Sequence, residues 1–181
     1  MSGTPDALVE VRITQMPLDV YRTTSEHNDE LLREFALIRE RDPAEPRSVP
    51  GRLLALIAEL EAQFSGFSVE QARQLEEALE RGESTIDLVY RVPPQVRQAF
   101  IELSTMLDEA DEFCREGREL LTLASPPVAV AFRRWFLEEF VRQIDGGQPR
   151  SWAEYCRTQG VVTEPLPRGS NGDATAQTTD T

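Results

Sequence analysis

The chain has 181 residues, 40% of them hydrophobic, enough for one domain with a core of its own. A formal net charge of −13 leaves no basic face for nucleic acid and disfavours anionic membrane surfaces. All 19 basic residues are Arg, which excludes a P-loop lysine, a Schiff-base lysine and the ATP-binding lysine of the protein-kinase pattern.

From the N-terminus, residues 1–7 are polar and read as a flexible lead. MSGTPDALVE lacks a basic region followed by an apolar run, so no signal peptide is expected and the expected location is the cytoplasm. No apolar run approaches the roughly 20 residues that span a bilayer. Leu8 to Thr14 alternates in hydrophobicity and predicts a short strand. Pro17 suits the first turn of a helix running from about Leu18 to Arg41. Thr23 with Glu26 also reads as a capping box, which leaves a later start open.

Residues 42–51, with three prolines, read as a loop. A second helix follows on Leu53, Leu56, Ile57, Leu60 and Phe64, and SGF ends it. Ser68 and Gln71 form a capping box for a third helix lined by Val69, Ala72, Leu75 and Leu79, with Gly82 just past its end. Ser84 to Pro94 alternates again, with Ile86, Leu88, Tyr90 and Val92 on one side. Two isolated strands are stable only when paired and packed on helices, so the two should pair, antiparallel.

A fourth helix of about six turns carries one apolar stripe from Val96 to Gly117. Its five acids, Asp108, Glu109, Asp111, Glu112 and Glu116, read as a solvated face or a docking surface for a basic partner. Ser125 with Pro126 and Pro127 starts a fifth helix, GGQP stops it, and SWAEYCRT adds a short helix whose Trp152 and Tyr155 dock back. Residues 159–181 have the composition of a disordered tail. The expected fold is mainly α, about five main helices with a minor two-stranded antiparallel sheet, in one domain spanning 8–158.

Chemistry has few places to sit. His27 is the only histidine, which removes HExxH and any two-histidine metal site. Cys114 and Cys156 form no C-x-x-C, so neither a zinc site nor a disulfide framework is indicated. No cofactor is expected, and no nucleophile–base pair is legible, so the chain is read as non-enzymatic. On the fifth helix, Phe132, Trp135, Phe136 and Phe140 share a face with Glu139, with Gln143 one turn on. Glu139 is either at the edge of the apolar arc or paired to an Arg in the core, or it is a buried carboxylate that binds a ligand or partner. Arg118 on the fourth helix is its expected partner. Asn28 sits near the middle of the first helix's stripe, with Tyr21, Thr24 and Leu31. It is either a core amide capping a neighbouring element or a pocket-lining polar group.

The segments EHNDELLREFALI, TIDLVYRVPP, LDEADEFCREG and ELLTLASPPVAVAFRRWFLEEFVRQ together resemble a family of small helical actinobacterial proteins. These accompany partner-switching regulators, the ATP-binding anti-sigma kinases and their STAS-domain antagonists. The resemblance covers roughly Val11 to Gln143 and transfers no catalytic residue. It implies a regulatory setting: a protein-interaction module in sigma-factor or stress signalling, whose partner is an anti-sigma kinase or a STAS-type regulator. The alternative is a ligand-sensing helical domain with a pocket lined by Asn28 and Glu139. Tyr21, Asn28, Arg118, Trp135 and Glu139 are thus the candidate binding residues.

Overall fold

The two alternating segments are strands and they pair. The computed structural model describes residues 8–41, 48–117 and 125–161. In it β1 (Val9–Pro17) lies antiparallel to β2 (Thr85–Val92), with Val11 opposite Tyr90 and Ile13 opposite Leu88. A bulge between Ile13 and Met16 puts Gln15 at a φ of +50°. Its N–H donates to Asp87 Oδ1 at 2.6 Å. Val11, Ile13, Met16, Leu88, Tyr90 and Val92 all turn inward, which is the period of two acting on a sheet covered on one face.

Among the described residues there are six α-helices: α1 (Leu18–Arg41), α2 (Val49–Phe64), α3 (Val69–Glu80), α4 (Val96–Glu116), α5 (Pro127–Ile144) and α6 (Trp152–Gln159). A 3-10 turn, Ser65–Phe67, joins α2 to α3. The fold is mainly α with a two-stranded sheet, as expected. The first helix starts at Leu18, so Thr23 and Glu26 lie inside it and cap nothing.

Three local expectations are corrected. The second helix begins inside the stretch expected as loop, because Ser48 caps it, its side chain accepting from Gly51 N–H at 3.3 Å. Pro50 falls in the first turn, where its missing N–H costs nothing. Ser68 and Gln71 form no capping box: Ser68 Oγ donates to Ser65 O at 3.1 Å, and Gln71 reaches the sheet instead. Ser125 does not cap α5, whose N-cap is Pro126. A true capping box does occur, between Ser151 and Glu154 at the start of α6. Residues 1–7, 42–47 and 162–181, covering the expected flexible lead, most of the proline loop and most of the expected tail, lie outside the described residues.

The core has two parts. One packs the inner face of the sheet against α3, α5 and α6. The other fills the space between α1, α2, α4 and α5 around Phe35, Leu53, Ala110 and Cys114. Phe100 and Phe136 touch both. The fifth helix is the central element, in contact with α4, β1, α1 and α6. That position explains why three polar side chains of α5 are buried together with its rings: Arg133, Glu139 and Gln143.

Candidate functional site

Glu139 is fully buried, with 0% of its surface exposed. Two of its donors come from the turn that follows α5. Gly146, at a φ of +87°, and Gly147, whose N–H donates to Arg142 O at 2.8 Å, fold the chain back along the helix. A Cβ at Gly147 would meet Arg142 O at 2.8 Å, so glycine is needed there. The returning chain places Arg150 under Glu139. Arg150 N–H donates to Oε2 at 2.9 Å and Arg150 Nε to Oε1 at 3.1 Å. The same guanidinium reaches Glu138 at 3.1 Å and lies 4.8 Å over the Tyr155 ring. Trp135 Nε1 donates to Arg150 O at 2.9 Å, so the aromatic face and the carboxylate grip one residue.

Glu139 has a third donor, Gln143 Nε2, at 3.1 Å. Gln143 in turn pairs with the outer edge of β1: its Nε2 donates to Arg12 O and its Oε1 accepts from Arg12 N–H, both at 2.8 Å. On the opposite edge, Gln71 Nε2 donates to Val89 O. Arg12 and Val89 are register partners. One pair of residues in the sheet is therefore held from both edges by helix glutamines. Glu139 fixes which way the Gln143 amide faces, because a carboxylate only accepts and so selects the NH₂ end. Of the two roles open to Glu139, the structural one accounts for all of its contacts.

The expected partner Arg118 lies outside the described residues; the guanidinium hydrogen-bonded to Glu139 is that of Arg150, and Arg142 Nε lies 3.8 Å from Oε1. The reason is the glycine turn, which delivers an Arg that no helical periodicity points to.

A second buried ionic group went unread in the sequence. Asp111 is 1% exposed and Arg133 is 6% exposed. Arg133 NH2 donates to Asp111 Oδ2 and, at 2.9 Å, to Asp108 Oδ1; its NH1 donates to Ser125 Oγ at 3.3 Å. Arg134 closes the group on Asp108 Oδ2 at 2.9 Å. Burial alone raises the Asp111 carboxyl, but hydrogen bonds from Arg133 and Ser125 outweigh it, and the net shift is downward. The five-acid segment is thus not one solvated face: Asp111 is a core residue. The spacing contained the signal. Asp111 is four residues after Leu107 and three before Cys114, on the inward stripe.

Two of the clefts that adjoin α5 share Phe136. The larger, about 740 Å³, runs between the end of α2, the 3-10 turn, β2, α4 and α5. Leu60, Phe64 and Phe67 form one wall, Phe100 and Leu103 another, and Tyr90 and Phe140 the buried base. Glu61 is the one charged residue lining it among the described residues. The smaller cleft, about 210 Å³, is lined by Tyr21, Thr24, Ser25 and Asn28 of α1, by Leu103 and Leu107 of α4, and by Arg133, Phe136 and Leu137 of α5. Tyr21 and Asn28 therefore do come together. Trp135 and Glu139 do not join them, so the expected pocket shared by Asn28 and Glu139 is not formed. The cause is angular: Glu139 follows Arg133 by six residues, about 600° of helix, and points toward β1 and the glycine turn.

Cys114 is buried and its thiol is pushed up to about 11 by that burial, then by the nearby Asp111. Burial also raises Cys156. Among the described residues no three of His, Cys, Asp and Glu converge on a position that could hold a metal ion, and no helix is long and apolar enough to cross a membrane. Comparisons with protein-family models, with curated proteins and with solved structures each find no match.

Proposed function

We propose that this chain is a non-enzymatic, cytoplasmic interaction module in partner-switching regulation, and that its 740 Å³ groove receives an apolar segment of a protein partner. The groove carries this reading. Aromatic side chains from five pieces of the chain line a surface cleft with a single carboxylate at its rim. Exposed apolar clefts of that kind are where soluble proteins bind others. With a chain charge of −13, the fitting segment presents apolar anchors flanked by basic residues. The resemblance to companions of partner-switching regulators puts an ATP-binding anti-sigma kinase domain and a STAS-domain antagonist first among partners. The thiols support the non-enzymatic part: both are buried and shifted away from the thiolate form that nucleophilic chemistry needs.

The test is calorimetric titration of the full chain with each purified regulator at low and moderate salt. One of them should bind, with affinity falling as salt rises. Phe64→Ala and Phe67→Ala, at the half-buried wall, should each weaken binding about tenfold or more and leave circular dichroism unchanged. Binding that ignores both substitutions would remove the groove from the reading. No binding to either regulator at high micromolar concentration would remove the partners.

A further inference from the structure

The groove beside β2 constrains the conformation of what it receives. Its walls leave little for a peptide backbone to bond. β2 contributes Tyr90 and Val92 from its inner face, so side chains and not the strand edge line the groove. At that edge Val89 O is already taken by Gln71 Nε2, with α3 alongside. The 3-10 turn is bonded within itself, Ser65 O accepting from both the N–H and the hydroxyl of Ser68. An extended segment buried here would therefore leave N–H and C=O groups without partners, each at a cost close to that of a lost hydrogen bond. A helix bonds its own backbone and presents only side chains.

Resting on the groove reading, we infer that the occupant is an amphipathic helix of the partner, with apolar anchors at i, i+3 or i+4 and i+7, and an arginine or lysine that meets Glu61. Volume sets the number of anchors. A cavity of about 150 Å³ holds benzene. The groove, at about 740 Å³, therefore takes roughly four apolar side chains, the number that two helical turns present on one face. Glu61 sets the charge. It is exposed, stands one turn before Phe64 on the α2 wall, and forms no ion pair among the described residues. Every other lining residue is uncharged. A basic side chain one turn from the anchors would pair with Glu61, and an acidic one would be repelled by it and by the chain charge of −13. Glu61 is thus the residue of this chain that reads the charge of the segment.

The test selects random peptides of about 15 residues, roughly four helical turns, displayed on phage against the full chain. Peptides retained by the native chain and lost on the Phe64→Ala/Phe67→Ala variant are synthesised and measured by calorimetry. They should carry the apolar helical pattern with Arg or Lys, and should gain helical circular dichroism when bound. Proline placed in the middle of the pattern should weaken binding at least about tenfold. Glu61→Arg, an exposed change that leaves the fold intact, should weaken the basic peptides about fivefold at low salt and tighten the same peptides with Glu in place of Arg. The free chain should sediment as a monomer. Retained peptides that alternate with a period of two, tolerate proline and gain no helix would overturn the helix while leaving the groove reading in place. Basic peptides indifferent to Glu61→Arg would overturn the role of Glu61. If no peptide depends on Phe64 and Phe67, the groove reading falls and the helix with it. A free chain that sediments as a dimer, and as a monomer once both Phe are replaced, would make a second copy the occupant and overturn the partner helix.

Discussion

Replacing Glu139 by Gln tests whether the buried carboxylate holds the returning turn to α5. The carboxylate accepts three hydrogen bonds, from Arg150 N–H, Arg150 Nε and Gln143 Nε2, at 2.9 to 3.1 Å. A glutamine can keep its oxygen at only one of the two positions. Placed at Oε2, it preserves the bonds from Arg150 N–H and Gln143 and turns its own NH₂ toward Arg150 Nε–H, donor against donor. One charge-assisted bond is lost, worth about 1.5–3 kcal/mol. Breaking a fully buried pair costs about 3–5 kcal/mol, but the Arg150 side chain is 19% exposed and keeps Glu138. The lower range therefore applies, and a loss of about 2–3 kcal/mol is expected. For a chain of this size that is a fall of roughly 4–12 °C in melting temperature. Urea unfolding followed by circular dichroism measures it. Arg150→Gln should lose a similar amount, and the double variant less than the sum of the two. A change below about 0.5 kcal/mol, the scatter of ordinary surface substitutions, would show that this carboxylate does not secure the turn.

Asp111→Asn should destabilise by about 3 kcal/mol, the lower end for a broken buried pair, because Asp108 still holds Arg133. The native Asp111 pKa lies below its ordinary 3.8, so its contribution is present above that value and is lost as pH falls through the folded pKa. Melting temperatures of the native chain should drop as pH falls below about 4, and those of Asp111→Asn should drop less steeply, which is the outcome to check. Gln143→Met strands both Arg12 N–H and Arg12 O at the β1 edge and should cost about 2–4 kcal/mol in chemical denaturation. Neutralising Glu109, Glu112 and Glu116 together should move stability by no more than about 1 kcal/mol, since Arg52–Glu109 and Arg115–Glu112 are exposed pairs; a collapse on heating would make these acids structural. Cys114, fully buried with its thiol pushed up, should react with a disulfide reagent at pH 8 only at the rate of unfolding, read against a denatured control.

Much of the architecture was legible because burial follows period. The alternation at Leu8–Thr14 and Ser84–Pro94 and the stripe on α4 each report one covered face. Such elements announce themselves whatever they pack on. The polar core was harder to read for a physical reason. Amphipathic patterning assumes one wet face, and α5 contacts neighbours on several sides. Its buried Arg133 looks like a surface charge, and Asp111 was masked by the four acids around it, although Leu107, Asp111 and Cys114 have core spacing. Gln71 reads as a helix cap because a glutamine three residues after a serine serves both purposes. Only the position of the β2 edge decides between them. Arg150 sits in GGQPRS, where chain direction depends on two glycines and no pattern forecasts the partner.

The polar contacts of α5 also explain how a two-stranded sheet persists in a helical protein. An isolated pair of strands leaves two unsatisfied edges and is marginal in water. Here the Arg12–Val89 pair is bonded across both edges by Gln143 and Gln71, and the Gln143 amide is oriented by Glu139, which is itself held by Arg150. On its other side α5 is locked to α4 through Arg133, Asp108 and Asp111. Between these two fixed contacts lies Phe136, which lines both clefts together with Leu103 of α4. These two side chains are the walls that the clefts have in common. The backbone framing the clefts is tied down by buried ion pairs and sheet-edge amides. The same helix thus carries the polar contacts that fix the sheet and the ring, Phe136, that separates the two clefts.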